Sequence, residues 1–126
     1  MATNPYDLDA SSDNQCLIKE KSSGTYINLT STYYNVVAYL YDRDDTLIQK
    51  WSYLAQSGYK SIYSVDSTTM EFYIRREDVK DRQGETVRLE VKTVKSTAGR
   101  GLTSDREHLL ASKILQVSDS KTEDAA

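Results

Sequence analysis

"MEFYIRREDVKDRQGETVRLEV", residues 70–91, carries the pattern that decides the fold. Met70, Phe72 and Ile74 alternate with Glu71, Tyr73 and Arg75, and after a polar link Val87, Leu89 and Val91 alternate with Arg88 and Glu90. Alternation with a period of two puts the apolar side chains on one face of an extended strand and the charged ones on the other. Two such runs predict two strands, each burying one face and wetting the other, as in an antiparallel sandwich. Gly84 supplies a freely chosen backbone angle before the second strand. Val79 is predicted to turn inward and plug the corner between them.

Outward from this corner the chain repeats the theme. "YYNVVAYLYD" (33–42) is the strongest β run, with Val36, Ala38 and Leu40 on one face and Val37, Tyr39 and Tyr41 on the other. Both faces are apolar, as in a central strand. "DRDD" (42–45) reads as a tight turn, and "TLIQKWSYLA" (46–55) as the returning arm of a hairpin. Before it, "CLIKEK" (16–21) and "TYINL" (25–29) are predicted strands joined by Ser22-Ser23-Gly24. A short strand is expected around residues 62–65, and "KSTAGRGLTSD" (95–105) reads as a loop. Residues 104–117 fit either a helix opened by a Ser104–Glu107 capping box or a closing strand. The strand is preferred because a sandwich needs it. About seven short strands, with turn signals every 8–12 residues or so, predict an all-β, immunoglobulin-like antiparallel β-sandwich with extended termini. Residues 1–15 read as an N-terminal arm, 16–117 as the sandwich and 118–126 as an acidic C-terminal tail.

The 126 residues suit one domain. Ten tyrosines stand against one Phe and one Trp, and tyrosine suits a half-buried pleated surface. Sixteen Lys and Arg against nineteen Asp and Glu leave a net charge of −3. No basic cluster of the density a phosphate backbone needs is present, so nucleic acid is not an expected partner. No apolar run approaches the roughly 18 residues that span a bilayer, and the N-terminus carries no secretory leader pattern. The expectation is a soluble chain, made in the cytoplasm, with no membrane partner.

The chemistry-bearing residues are sparse. His108 is the one histidine and Cys16 the one cysteine, so no intrachain disulfide forms. A Cys16–His108 dyad has no local support, and a buried structural thiol is expected instead. Asp42, Asp44 and Asp45 invite a calcium reading, but an EF-hand loop needs Gly and Glu where Leu47 and Tyr53 stand. A turn is therefore expected there. "AGRGLTSD" lacks the Lys of a phosphate-binding loop, and "NLT" (28–30) matches a glycosylation acceptor by chance. No catalytic residue, cofactor or metal is expected. The tyrosine surplus points instead to contact surfaces, since Tyr is enriched at protein interfaces. Tyr6, Tyr33, Tyr34, Tyr59 and Tyr63 are the interface candidates.

The order of these segments over residues 15–119 resembles the Ig-like domain of bacteriophage structural proteins of the upper-baseplate and fibre type. "CLIKEKSSGTYINL" opens, "YNVVAYLYDRDDTLIQKW" forms the centre, and "MEFYIRREDVKDRQGETVRLEVKTV" leads to "KILQVSD". The Tyr- and Asp-rich style is similar to that of crAss-like phages of gut Bacteroidetes. The chain departs from the pattern in its first turn, in an inserted 95–105 loop, and in ending after one domain, which suggests a small stand-alone component. The resemblance implies a non-enzymatic virion structural protein, made in the host bacterial cytoplasm. It would mediate contacts at the capsid head, collar, tail or a fibre attachment. Its implied partners are other virion proteins, in a homo-oligomer or symmetric repeat. The alternative is a carbohydrate- or host-surface-binding module, suggested by the aromatic surplus.

Overall fold

A computed structural model describes residues 8–95 and 107–118. The strands are β1 (Leu8–Asp9), β2 (Asn14–Ile18), β3 (Lys21–Ser22), β4 (Thr25–Tyr26), β5 (Tyr33–Tyr41), β6 (Leu47–Ser52), β7 (Lys60–Ser61), β8 (Tyr63–Asp66), β9 (Thr69–Ile74), β10 (Thr86–Lys95) and β11 (Glu107–Ser118). Two one-turn helices, α1 (Leu29–Thr32) and α2 (Arg76–Val79), interrupt them. A six-stranded sheet has the order β1-β11-β10-β5-β6-β7, and a three-stranded sheet the order β2-β9-β8. The two sheets form an immunoglobulin-like sandwich in which β6, the hairpin partner of the central strand β5, widens the larger sheet. The all-β sandwich is the expected one, and seven of its strands have four or more residues.

Facing side chains make the core. Val36, Ala38 and Leu40 of β5 and Val87, Leu89 and Val91 of β10 point at Met70, Phe72 and Ile74 of β9 in one buried cluster. The Trp51 and Phe72 rings meet across the sheets with centroids 4.8 Å apart. The Trp51 indole N–H donates to the Tyr73 carbonyl at 3.1 Å, so its polar atom is satisfied inside. Aromatic rings bury the largest areas of any side chains, and Trp51 and Phe72 are the two largest of the fully buried ones.

The corner at 75–85 behaves as read. Val79 is fully buried, and the Asp78 carboxylate accepts the Arg75 N–H at 3.0 Å to start α2. Gly84 adopts φ +84° with nothing near its missing side chain, and its N–H donates to the Val117 carbonyl. The acidic turn is likewise a turn. One Asp42 oxygen accepts the N–H groups of Asp44 and Thr46, at 2.8 and 2.9 Å.

Three expectations need revision. The strand predicted at 25–29 stops at Tyr26, because Asn28 caps α1 and its side chain accepts from Ser31 N–H and Thr30 hydroxyl. Short polar side chains that bond their own backbone compete with a ladder, and the run Asn28-Leu29-Thr30-Ser31 is rich in them. The strand at 16–21 instead starts at Asn14 and ends at Ile18. The arm expected over 1–15 is built into the fold from Leu8 onward. β1 runs parallel to the end of β11, Leu8 and Ala10 are buried, and Ala10 N–H donates to the Ser118 carbonyl at 2.7 Å. Apolar Leu8 and Ala10, spaced by two, are the physical reason. The closing strand preferred at the C-terminal end is present as β11. Residues 1–7, the loop beyond 95 and the tail beyond 118 lie outside the described residues.

Candidate functional site: an aromatic and charged sheet face

The outer face of the larger sheet carries the densest chemistry. Backbone register lines its side chains up in rows that cross four strands. Ile114, Arg88, Tyr41 and Leu47 form one row. Ser112, Glu90, Tyr39 and Lys50 form the next. Leu109, Lys92, Val37 and Ser52 form the third. Each residue is there because strand alternation sends its neighbours inward to the core.

Cations sit on the tyrosine rings. The Arg88 guanidinium lies 4.7 Å from the Tyr41 centroid, Lys92 lies 5.3 Å from Tyr39, and Lys50 lies 4.4 Å from Tyr59. The Tyr39 ring stacks on Tyr41 and meets the edge of Tyr59, both at 6.3 Å. Carboxylates complete the lattice. Arg88 pairs with Glu90 at 3.0 Å and with Asp45, and Lys92 lies 3.7 Å from Glu90. The Tyr39 hydroxyl donates to Glu107 at 2.8 Å. Its phenol is held far above the ordinary range, first by burial and then by the Tyr59 and Glu107 contacts. At the margins Ile114 and Leu109 are 63% and 58% exposed.

At the end of this face a buried polar knot fixes the loop after β6. The Asn35 amide donates to the Ser52 hydroxyl at 2.9 Å and its carbonyl accepts Leu54 N–H at 2.9 Å, while the Ser52 hydroxyl donates to the Leu54 carbonyl. Each buried polar group therefore has a partner. This holds Tyr59 beside Lys50 and Tyr39.

The sequence candidates do not form one patch. Tyr59 belongs to the lattice, and Tyr34 lies exposed beside a depression of about 360 Å³ at its upper margin. Tyr63 is exposed on β8, on the crossed flank of the molecule. Tyr33 turns inward and its hydroxyl donates to Glu20; burial and then that carboxylate push its phenol up to about 12. Tyr6 lies outside the described residues. The residues that sequence reading passed over are Tyr39, Tyr41, Lys50, Arg88 and Lys92. A signal existed in the matched alternations "YLY" (39–41) and "RLEVK" (88–92), but only strand register joins them.

The other reactive groups are quiet. Cys16 is partly buried between the sheets, and desolvation pushes its thiol up to about 11, so it stays protonated at neutral pH. His108 is exposed on β11, in the other sheet. Among the described residues, no three His, Cys, Asp or Glu side chains gather as a metal site requires, and no helix is long and apolar enough to cross a membrane. In comparisons with known proteins, the chain matches no family model, no curated protein and no solved structure.

Proposed function

We propose that this protein is a non-catalytic binding module that associates with copies of itself through the outer face of the larger sheet. The observation that carries the reading is the row-by-row lattice of three cation–π pairs, edged by exposed Ile114, Leu109 and Leu47. Tyr and Arg are enriched among the residues that dominate interface energies, Tyr because it buries a large ring with few rotors to freeze and Arg because its planar guanidinium stacks and donates several hydrogen bonds at once. The cations on this face already have aromatic and carboxylate partners within the chain. A partner that covers them leaves few charges unpaired, which lowers the desolvation cost of association. The face also carries both signs of charge, so a second copy turned by half a rotation meets acid with base.

The segment order over residues 15–119 supports placing such a module in a bacteriophage virion, where small sandwiches repeat around a symmetric particle. Sedimentation equilibrium of the full chain tests the association. Wild type should show concentration-dependent self-association, and Ile114→Glu should weaken it about tenfold, the size of one interface anchor. A chain that stays monomeric at every concentration sinks the reading. Co-sedimentation with purified phage particles tests the virion setting separately.

A further inference from the structure

On the flank where the chain crosses between the sheets, an open cavity of about 280 Å³ lies in the seam, near the small end of ligand cavities. Gln49 of β6, Tyr63 of β8, Tyr73 of β9 and Arg75, Glu77 and Asp78 of the corner line it. It adjoins the proposed contact face at Tyr59, which borders both, but its remaining lining lies on the flank and its chemistry is different.

The aromatic rings here are not equivalent. The Arg75 guanidinium lies 5.2 Å from the Tyr73 centroid, and Asp13 holds that guanidinium at 3.0 Å. Tyr63 is 52% exposed, and among the described residues no cation and no second ring lies on it. Its face is therefore open beside the cavity. Around it stand acceptors with capacity to spare. Asp78 accepts the Arg75 N–H and a hydrogen bond from the Gln49 side chain, which leaves about two of its acceptor sites, and burial raises its carboxyl above the usual carboxylate range. Glu77 is exposed and accepts no hydrogen bond from any described residue. A carboxylate offers about four acceptor sites, and a partly desolvated one gains most from new donors.

An open aromatic face beside acidic, amide and guanidinium groups suits a ligand with an apolar face and a rim of hydroxyls. A sugar ring is such a ligand: its C–H face lies on the aromatic ring while its hydroxyls donate to carboxylates and accept from Arg. Lys60 and Arg75 also line the cavity, but Asp13 already holds Arg75, and a phosphate-bearing ligand would meet Glu77 and Asp78 as like charges. A bare cation would have no use for Tyr63 as a wall. We propose that the seam cavity binds a neutral glycan through one or two sugar rings. Tyr63 is the stacking platform, and Asp78, Glu77, Gln49 and Arg75 engage the hydroxyls.

The test is saturation-transfer NMR on the full chain with methyl glycosides of glucose, galactose, mannose, N-acetylglucosamine, rhamnose and fucose. At least one should bind saturably. Tyr63→Ala should weaken that binding about tenfold, the worth of one aromatic contact, while Tyr63→Phe retains it. Tyr63 is half exposed, so an unchanged unfolding midpoint in Tyr63→Ala separates lost stacking from lost fold. Ile114→Glu, on the other face, should bind the glycoside as wild type does, which keeps this site distinct from self-association. The proposal is overturned if none of the six binds, or if Tyr63→Ala binds as tightly as wild type.

Discussion

The two flanks of the sandwich are finished in different ways. On one, β7 pairs parallel with β6 and β8 pairs with β9, with only Ile62 between them, so residues 60–66 leave one sheet and join the other. Ile62 is buried and its N–H donates to the Ser52 carbonyl at 3.0 Å. On the other flank the chain changes sheets only at one end, between β1 and β2, and beyond that turn β2 and β11 face each other uncrossed over a cleft of about 120 Å³ lined by Cys16, Ile18, Phe72, Leu89, Val91 and Leu110. Among the described residues only the two residues of β1 pair along the free side of β11. A covalent crossing fixes the spacing of the sheets and allows Trp51 to be packed almost without exposure. A flank crossed only at its end leaves Cys16 and Leu110 half-buried and sets Lys19 and Lys113 at the rim, where charge discourages edge pairing.

The largest expected effect lies on the crossed flank. Trp51→Ala empties the seam against Phe72 and strands the Tyr73 carbonyl, so it should cost about 3–5 kcal/mol. Urea unfolding checks it, and a loss below about 1 kcal/mol would mean that this flank does not hold the sheets together. Ile62→Ala should follow with about 2–4 kcal/mol, because its side chain fills the crossing itself. If Leu110→Ala, in the uncrossed cleft, costs as much, the contrast between the flanks is false.

How much of this was legible follows from what each feature depends on. Strand identity was readable at β5, β9 and β10, because period-two alternation is local and Met70, Phe72 and Ile74 declare it within five positions. The plug at Val79 was readable because one apolar residue sits in a polar link. The crossing at Ile62 was not, since leaving one sheet for another is a choice of partner, and Lys60-Ser61-Ile62-Tyr63 carries no mark of it. The helix at Leu29 was hidden because its residues also suit a strand end. The contact face was half visible: Arg88 was placed on a wetted face, while Tyr39 and Tyr41 shared one face of a strand whose two faces both read as apolar. Their meeting depends on the β5–β10 register across some fifty intervening residues. The seam cavity was invisible, being assembled from β6, β8, β9 and the corner, with no two of its key side chains forming a motif.

The uncrossed cleft gives the next effect through Cys16. Burial raises its thiol from 9.0 to about 11, with the Ile74 backbone and Lys113 acting in the opposite sense. Between those values the unfolded chain releases a proton that the folded chain keeps. The stability that this thiol confers is therefore complete below about pH 9 and is lost as pH rises toward 11, by about 2–3 kcal/mol. Tyr33 is raised as well and adds a loss of the same sign at higher pH. The quantity to measure is accordingly the difference between wild type and Cys16→Ala across pH 9–11. Parallel curves would show that water reaches the thiol and that the cleft is not dry.

The smallest effect sharpens the comparison most, because it asks whether the uncrossed edge is a finished surface. Leu17 lies on β2 opposite Glu71, points away from the core and is 54% exposed. Leu17→Thr trades its exposed apolar area for a β-branched side chain that suits a strand, so the two terms oppose each other. A change within about 0.5 kcal/mol in either direction is expected, as for surface positions that touch nothing else. A cost above about 1.5 kcal/mol would instead mean that Leu17 is covered in solution, by this chain or by another copy. The edge would then be a second place of contact, and the uncrossed flank would be completed by association where the other is completed by the chain itself.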